Sequence, residues 1–255
     1  MRMMNFKTHT LCWALLLATA AVTDAATMNW GDKTTPTSDV TFLQVTEDND
    51  EPSTVFAPIA TGPTVSGNQL IFHPVNFQSQ ANNGADLIDS TLTTTIKAKP
   101  GATIDSIDIH EFGDYTLGGL SGYDALASVG AAFFWRVTEV NGAAVSLPTQ
   151  IASAAFTGGG LYERPTNDGT AVPWSGNVVL DVAAYLLAQG ITGDATAVSL
   201  RFDNTLQTAA DQFSNAFIKK KGVDITVTPG DPTIPEPTSA ALVALAAVAC
   251  GLRRR

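Results

Sequence analysis

The chain is predicted to fold as an all-β protein, an antiparallel β-sandwich or jelly roll with one short helix. Two observations favour this fold class. Apolar and polar residues alternate with a period of two in many short segments, and clusters of Gly, Pro, Asn and Asp separate these segments. Between its two unusual ends the chain has about 210 residues, enough for one sizeable core and few for two.

Several segments show the alternation that predicts strands. Residues 198–203 and 223–228 place apolar side chains at every second position, as expected for strands with one buried face. Further predicted strands are 40–46, 69–77, 87–98 and 103–112.

A hairpin is predicted around Asn141-Gly142. Before this dipeptide, Phe133, Trp135 and Val137 alternate with residues 134, 136 and 138, as in a strand. Residues 143–147 follow it as the second predicted strand. Asn-Gly between two such segments favours a type I′ turn. The alternation also places Trp135 in the core.

One segment has helical periodicity instead. Asp181 is a suitable N-cap, Val182, Tyr185 and Leu186 would share one face, and Gly190 would end the helix. We expect this helix to cover one end of the sandwich.

The N-terminal segment has the features of a secretory signal peptide. Arg2 and Lys7 provide the positive region, and an apolar stretch covers residues 11–22. Small residues before the mature chain predict cleavage at Ala25, or after Ala26. We therefore assign residues 1–25 to a signal peptide that uses the Sec translocon and signal peptidase, and residues 26–228 to a β-sandwich ectodomain.

The C-terminal segment has three parts in a fixed order. Residues 229–237 form a spacer with four prolines, residues 240–252 are apolar, and Arg253, Arg254 and Arg255 follow. Thirteen helical residues cover about 20 Å, less than the roughly 30 Å of a bilayer core, so the segment is short for a permanent transmembrane helix. The arginines would remain in the cytoplasm and leave the ectodomain outside.

The motif Pro235-Glu236-Pro237, followed by the apolar run and the arginines in residues 238–255, resembles the PEP-CTERM sorting signal. The same tail domain is also named after the C-termini of ice-binding proteins. The resemblance implies recognition by exosortase in a bacterium with an outer membrane, with the precursor held transiently at the inner membrane. It also implies delivery to the cell envelope or surface and association with exopolysaccharide.

The composition of the ectodomain argues against a disulfide-stabilised scaffold and against nucleic acid or anionic lipid as partners. Both cysteines, Cys12 and Cys250, lie outside it, so no disulfide stabilises it. Residues 26–235 carry nine Lys or Arg and 22 Asp or Glu, a net charge of −13. Such a surface repels nucleic acid and anionic lipid, and is compatible with neutral polysaccharide or divalent cations.

No catalytic motif is evident. The ectodomain has two histidines, His73 and His110, and His110 would share a strand face with Asp108. No Gly-x-Ser-x-Gly or His-Glu-x-x-His pattern is present. We therefore predict no catalytic residues.

Glycoside hydrolysis would need two facing carboxylates. The carboxylates near bends and turns are Glu111, Asp114, Glu139 and Glu163, and their spacing does not pair them.

Two binding sites are candidates. Asp48, Asp50 and Glu51, around Asn49, and a second turn at residues 167–169 offer the oxygen ligands that calcium prefers. Trp174 lies in a region rich in Gly, Pro and Asn, which favours an exposed ring that stacks on a sugar. Calcium is the only cofactor with any support in the sequence.

The sequence therefore predicts an exported, non-enzymatic surface or matrix protein that is sorted through its tail. The alternative is a secreted carbohydrate-active enzyme that uses the same route.

Overall fold

Residues 26–230, as described by a computed structural model, form two antiparallel sheets that pack face to face with one helix, so the predicted fold class is confirmed. The strands are β1 Ala26–Asn29, β2 Val40–Asn49, β3 Thr64–Ser66, β4 Gln69–Phe72, β5 Gln78–Ala81, β6 Gly84–Ala98, β7 Ser106–Gly119, β8 Ala125–Val140, β9 Ala143–Ala144, β10 Gln150–Ser153, β11 Ala155–Phe156, β12 Leu161–Glu163, β13 Gly169–Asp181, β14 Ala195–Ala210 and β15 Ser214–Thr228. The helix is α1, Val182–Ala188, and Thr157–Gly160 form a short 3₁₀ turn.

Each sheet is built around long central strands. The first sheet has the order β1-β2-β6-β14-β8-β10, and β9 and β12 also pair with β8. The second has the order β11-β13-β7-β15-β4-β3, and β5 also pairs with β15. Consecutive long strands such as β7 and β8, or β14 and β15, lie in opposite sheets, so their loops cross between the sheets at the ends of the sandwich.

Aromatic side chains fill the space between the sheets. Phe56 packs edge-on against Phe72, Phe77 and Phe202, with ring centroids 5.1 to 5.8 Å apart, and Phe133 extends the cluster from Phe202. All five rings are fully buried. Their burial supplies the hydrophobic stabilisation that this cysteine-free domain requires.

A bulge in β2 reverses which residues face the core. Gln44 has a positive φ of 50°, and the pairing with β6 shifts register between Leu43 and Thr46. Val45 and Glu47 consequently point inward, whereas simple alternation from Val40 would turn them outward. A carboxylate is thereby placed in the core.

The sandwich has two different ends. One end, called the distal end because it lies opposite Gly230, has four connections between the two sheets. They are residues 82–83, 120–124, 164–168 and 211–213. At the helix end lie α1, residues 99–105 and Gly230, whose carbonyl accepts a hydrogen bond from Thr103 Oγ1 at 3.2 Å. Strands β8 and β14, of 16 residues each, run between the ends and correspond to about 50 Å of extended chain.

The predicted helix and hairpin are confirmed. Asp181 caps α1 by accepting a hydrogen bond from Ala184 N at 2.8 Å, and Val182, Tyr185 and Leu186 are buried. Asn141 and Gly142 both have positive φ between β8 and β9, as a type I′ turn requires. The second strand of this hairpin has only two residues, fewer than the predicted 143–147.

Two strand predictions differ from the structure. Strand β4 ends at Phe72 instead of reaching Phe77, because Pro74 cannot donate to a ladder and the chain turns there before β5. The region around Trp174 is not an exposed loop but the long strand β13. Pro173 is tolerated because β11 pairs with β13 only at residues 176–177 and leaves that side open.

The prediction that Trp174 is exposed for sugar stacking is therefore wrong. Its side chain points inward, is 2% exposed, and packs edge-on against Phe156 with centroids 6.0 Å apart. A ring in that position cannot reach a ligand at the surface.

The terminal predictions lie outside the described residues. They are the signal peptide with Ala25, the motif Pro235-Glu236-Pro237, and the cluster Arg253, Arg254 and Arg255. Within residues 26–230, no helix has the length and apolar character needed to cross a membrane.

Candidate functional site

A groove of about 640 Å³ lies at the distal end. Its walls come from the ends of β6, β8, β12 and β14, which the sheet register brings together. The lining residues are Asn83, Gly84, Asp124, Ala125, Leu126, Glu163, Arg164, Ala209, Ala210 and Asp211. Three carboxylates and one guanidinium give the groove a polar, net negative character.

Arg164 organises the loop that borders the groove. Its Nη1 donates to the carbonyls of Tyr123 at 2.8 Å and Leu120 at 3.3 Å, and its Nη2 donates to that of Gly119 at 3.1 Å. The guanidinium also forms a bidentate ion pair with Asp168, from Nε to Oδ1 at 2.5 Å and from Nη2 to Oδ2 at 3.2 Å. Hydrogen bonding to Asp168 raises the pKa of Arg164 above its ordinary value, so Arg164 stays a fixed cation.

The loops at the distal end also hold each other. Asp124 N donates to Asp211 Oδ2 at 3.1 Å, and Asp211 N donates to the Asp124 carbonyl at 2.9 Å. Ser214 Oγ donates to the same carbonyl at 2.6 Å. Residues 120–124 and 211–213 therefore form one pre-organised rim.

Exposed apolar side chains stand on this rim. Phe213 is 57% exposed and Leu120 is 61% exposed. Tyr123 packs edge-on against Phe213 with centroids 5.3 Å apart. Phe213 has a positive φ of 68°, which is unfavourable for a residue with a bulky side chain. Phe213 lies two residues after Asp211 of the groove lining, so the loop that borders the groove also exposes an apolar ring to solvent.

The calcium prediction is not supported by the arrangement of its residues. Within residues 26–230, no three His, Cys, Asp or Glu side chains form a group that could hold a metal ion. Asp48 belongs to the extended strand β2 and accepts a hydrogen bond from Thr27, while Asp50 and Glu51 lie in the bend that follows. Asp168, from the second oxygen-rich turn, pairs with Arg164 instead.

The remaining residues considered for a catalytic role lie on different parts of the sandwich. His110 stacks on Phe112 on the outer face of the second sheet, with centroids 5.6 Å apart. Glu139 pairs with Lys97 at 3.0 Å on the first sheet, and Asp114 pairs with Lys221. Of the carboxylates considered for glycoside hydrolysis, Glu163 lies in the groove.

Sequence reasoning missed a buried polar cluster between the sheets. Lys220 of β15, Glu111 of β7 and Asn204 of β14 are all fully buried. Lys220 Nζ donates to Glu111 Oε2 at 2.7 Å and to Asn204 Oδ1. Burial lowers the pKa of Lys220 below its ordinary value, and the attraction of Glu111 opposes this only in part. Ala216, Ile218 and Lys220 alternate on the buried face of β15, but a bulge between Lys220 and Gly222 shifts this face relative to Val223. The predicted strand 223–228 therefore did not identify Lys220.

Glu47 is a second buried carboxylate. It accepts hydrogen bonds from Val55 N at 2.6 Å, Phe56 N at 3.2 Å, Asn49 Nδ2 at 2.7 Å and Ser90 Oγ at 3.2 Å. Burial raises the pKa of Glu47, although these four donors act in the opposite direction. Glu47 therefore fixes the segment that inserts Phe56 into the core.

No protein-family model matches the chain, and no curated protein matches it. Solved structures with a similar fold include TmCBM61 in complex with β-1,4-galactotriose, at 9% identity and a TM-score of 0.24, covering 71% of this chain and 86% of the other. The family 11 xylanase from Neocallimastix patriciarum is 10% identical with a TM-score of 0.20, covering 80% and 100%. Endoglucanase 3 of family GH12 from Trichoderma harzianum is 10% identical with a TM-score of 0.19, covering 80% and 98%. Superpositions as weak as these do not indicate a shared function.

Proposed function

We propose that the chain is an exported, non-enzymatic surface or matrix protein that binds exopolysaccharide at its distal groove and is sorted through a PEP-CTERM tail by exosortase. The observation that carries the binding proposal is the groove itself. The groove presents three carboxylates and a guanidinium, and the exposed ring of Phe213 lies on the loop that follows Asp211 of the lining, at the end of the domain opposite Gly230.

The chemistry of the groove fits a neutral sugar chain. Aromatic rings offer apolar faces to the C–H groups of a sugar, while carboxylates accept hydrogen bonds from its hydroxyls. Asp124, Glu163 and Asp211 supply such acceptors. The net charge of −13 over residues 26–235 disfavours an anionic partner.

The position of the groove fits a tethered or sorted domain. Gly230, the last described residue, lies at the helix end, and the proline spacer that carries Pro235-Glu236-Pro237 follows it in sequence. Any attachment through the tail would therefore leave the distal groove facing away from the attachment point.

A glycan array with the full exported chain tests the binding proposal. We expect binding to neutral polysaccharide that Phe213→Ala weakens. Leu187→Ala is the matched control, because Leu187 is 79% exposed but lies on α1 at the opposite end. Equal binding by the two variants would refute the assignment of the groove.

A hydrolysis assay on the same glycans tests the alternative, a secreted carbohydrate-active enzyme. The three carboxylates in the groove justify this assay. Turnover that Glu163→Gln abolishes would replace the non-enzymatic proposal.

Sorting is tested separately. Deletion of residues 235–237 should leave the precursor uncleaved in the membrane fraction, whereas the full chain should be processed. Unchanged processing of the deletion variant would refute the sorting proposal without affecting the groove.

A further inference from the structure

We propose that Lys220 and Asn204 become joined by an intramolecular amide bond between Lys220 Nζ and Asn204 Cγ, with Glu111 transferring the protons. This bond would connect β15 of the second sheet to β14 of the first. In a domain without cysteine, it would supply a covalent connection between the two sheets.

The first support is the placement of the reacting groups. Lys220 Nζ lies in contact with Asn204 Oδ1, the atom bonded directly to the carbon that the amine would attack. The same Nζ donates to Glu111 Oε2 at 2.7 Å. An amine, a carboxamide and a carboxyl are therefore held together by three strands, and such positioning accelerates reactions strongly.

The second support is that two polar atoms of the cluster lack partners. Among the described residues, Glu111 Oε1 and Asn204 Nδ2 are buried side-chain atoms without a hydrogen bond. Native structures seldom leave such atoms unpaired, and an unpaired atom of this kind calls for an explanation. The reaction provides one, because it expels the amide nitrogen of Asn204 and uses the free oxygen of Glu111 as a proton carrier.

The third support is the apolar surrounding. The rings of Phe77 and Phe56 lie 4.9 and 5.8 Å from Lys220 Nζ, and all three residues are fully buried. Burial lowers the pKa of Lys220, which favours the neutral, nucleophilic amine. The absence of bulk water around the cluster also protects the product from hydrolysis.

The proposed reaction balances without an oxidant or a cofactor. Lys220 first gives a proton to Glu111, so that a neutral amine faces a carboxylic acid. The amine nitrogen then bonds to Asn204 Cγ, while Glu111 donates its proton to the developing oxyanion. The tetrahedral intermediate next breaks the bond between Cγ and Nδ2. Glu111, again a carboxylate, takes the surplus proton from the attacking nitrogen and passes it to the departing Nδ2. Ammonia leaves while the hydroxyl on Cγ returns its proton to Glu111 and the carbonyl re-forms, so a secondary amide, ammonia and a protonated Glu111 remain.

Tandem mass spectrometry of the folded protein, purified as the cell exports it, tests the proposal. Trypsin cleaves after Arg201, Lys219 and Lys221, and an acylated Lys220 resists cleavage. We expect a branched peptide in which residues 202–219 are linked through Asn204 to the dipeptide 220–221. Its mass should be lower than the sum of the two separate peptides by one ammonia, about 17 Da. Recovery of unmodified Asn204 with free Lys220 from folded protein would overturn the proposal.

Variants identify the participating groups. Glu111→Gln should fold and retain both reacting side chains but lack the branched peptide, since Gln cannot transfer the protons. Lys221→Arg is the matched control, because Lys221 is half exposed and pairs with Asp114 outside the cluster; it should retain the bond. A branched peptide in Glu111→Gln would refute the role of Glu111, and its absence from wild-type chain with native circular dichroism would refute the bond itself.

Discussion

The pH dependence of stability at Glu47 offers a direct test of how the core is built. The carboxylate is fully buried and receives four hydrogen bonds, two of them from the backbone of the segment that carries Phe56. Burial raises the pKa of Glu47 above the ordinary value of 4.5 in the folded state. Ionisation therefore costs more in the folded chain than in the unfolded chain.

The sign of the effect follows from proton binding. Below pH 4.5 both states hold the proton, and the full contribution of neutral Glu47 to stability is present. As the pH rises above 4.5, the unfolded chain releases this proton first, and the contribution of Glu47 to stability decreases. The decrease ends once the carboxyl of the folded chain has also ionised. Within that window the loss has a limiting slope of about 1.4 kcal/mol per pH unit.

Glu47→Gln removes the titrating group while keeping its shape. We expect the free energy of unfolding of the wild type to fall relative to that of Glu47→Gln as the pH rises above 4.5. Urea unfolding followed by circular dichroism from pH 4 to pH 8 measures this difference. Glu139→Gln is the control for a carboxylate at the sheet surface, where Glu139 pairs with Lys97.

Glu47→Ala separates hydrogen bonding from titration. It leaves the N–H groups of Val55 and Phe56 without their acceptor and should cost a further 3 kcal/mol or so, about the penalty of one to two unsatisfied buried donors. Parallel stability curves for the wild type and Glu47→Gln would refute the reasoning about the buried carboxylate.

Further predictions concern the rim, the core and one tyrosine. Phe213→Ala should weaken glycan binding by about fivefold, since an exposed aromatic contact contributes about 1 kcal/mol; isothermal calorimetry measures this, and unchanged affinity would contradict it. Arg164→Met should expose residues 120–124 to protease, because three carbonyls lose their hydrogen-bond donor. An unchanged cleavage pattern would show that Arg164 does not hold this loop. Phe202→Ala should lower the free energy of unfolding by about 3 to 5 kcal/mol through the cavity it leaves, and a loss below about 1 kcal/mol would show that the core collapses to fill it. Burial, and then electrostatic interaction with Tyr115, raise the pKa of Tyr162 to about 12, so stability should fall as the pH rises above 10. Ultraviolet titration should show one late phenol that Tyr162→Phe removes.

Much of the fold follows from local patterns in the sequence. The period-two alternation identified most of the long strands, and the Asn-Gly dipeptide identified the turn after β8. Asp181 identified the start of α1. These features depend on neighbours in sequence, so each can be read from a short window.

The errors arise where a distant strand or an irregular residue decides the outcome. Trp174 lies beside Pro173, which suggests a loop, yet pairing with β7 holds both in a strand and turns the ring inward. The positive φ of Gln44 shifts β2 by one residue and turns Glu47, not Asp48, into the core. A window of sequence contains neither the pairing partner nor the bulge.

The sequence by itself determined the fold class, the cysteine-free acidic composition and the Pro-Glu-Pro segment that resembles a sorting signal. Only the tertiary structure brought together the four connections that form the distal groove and the three strands that hold Lys220, Asn204 and Glu111. The physical reason is that alternation defines which face of a strand is buried, whereas the residues that lie opposite are fixed by packing of the two sheets, and those contacts join positions far apart in the chain.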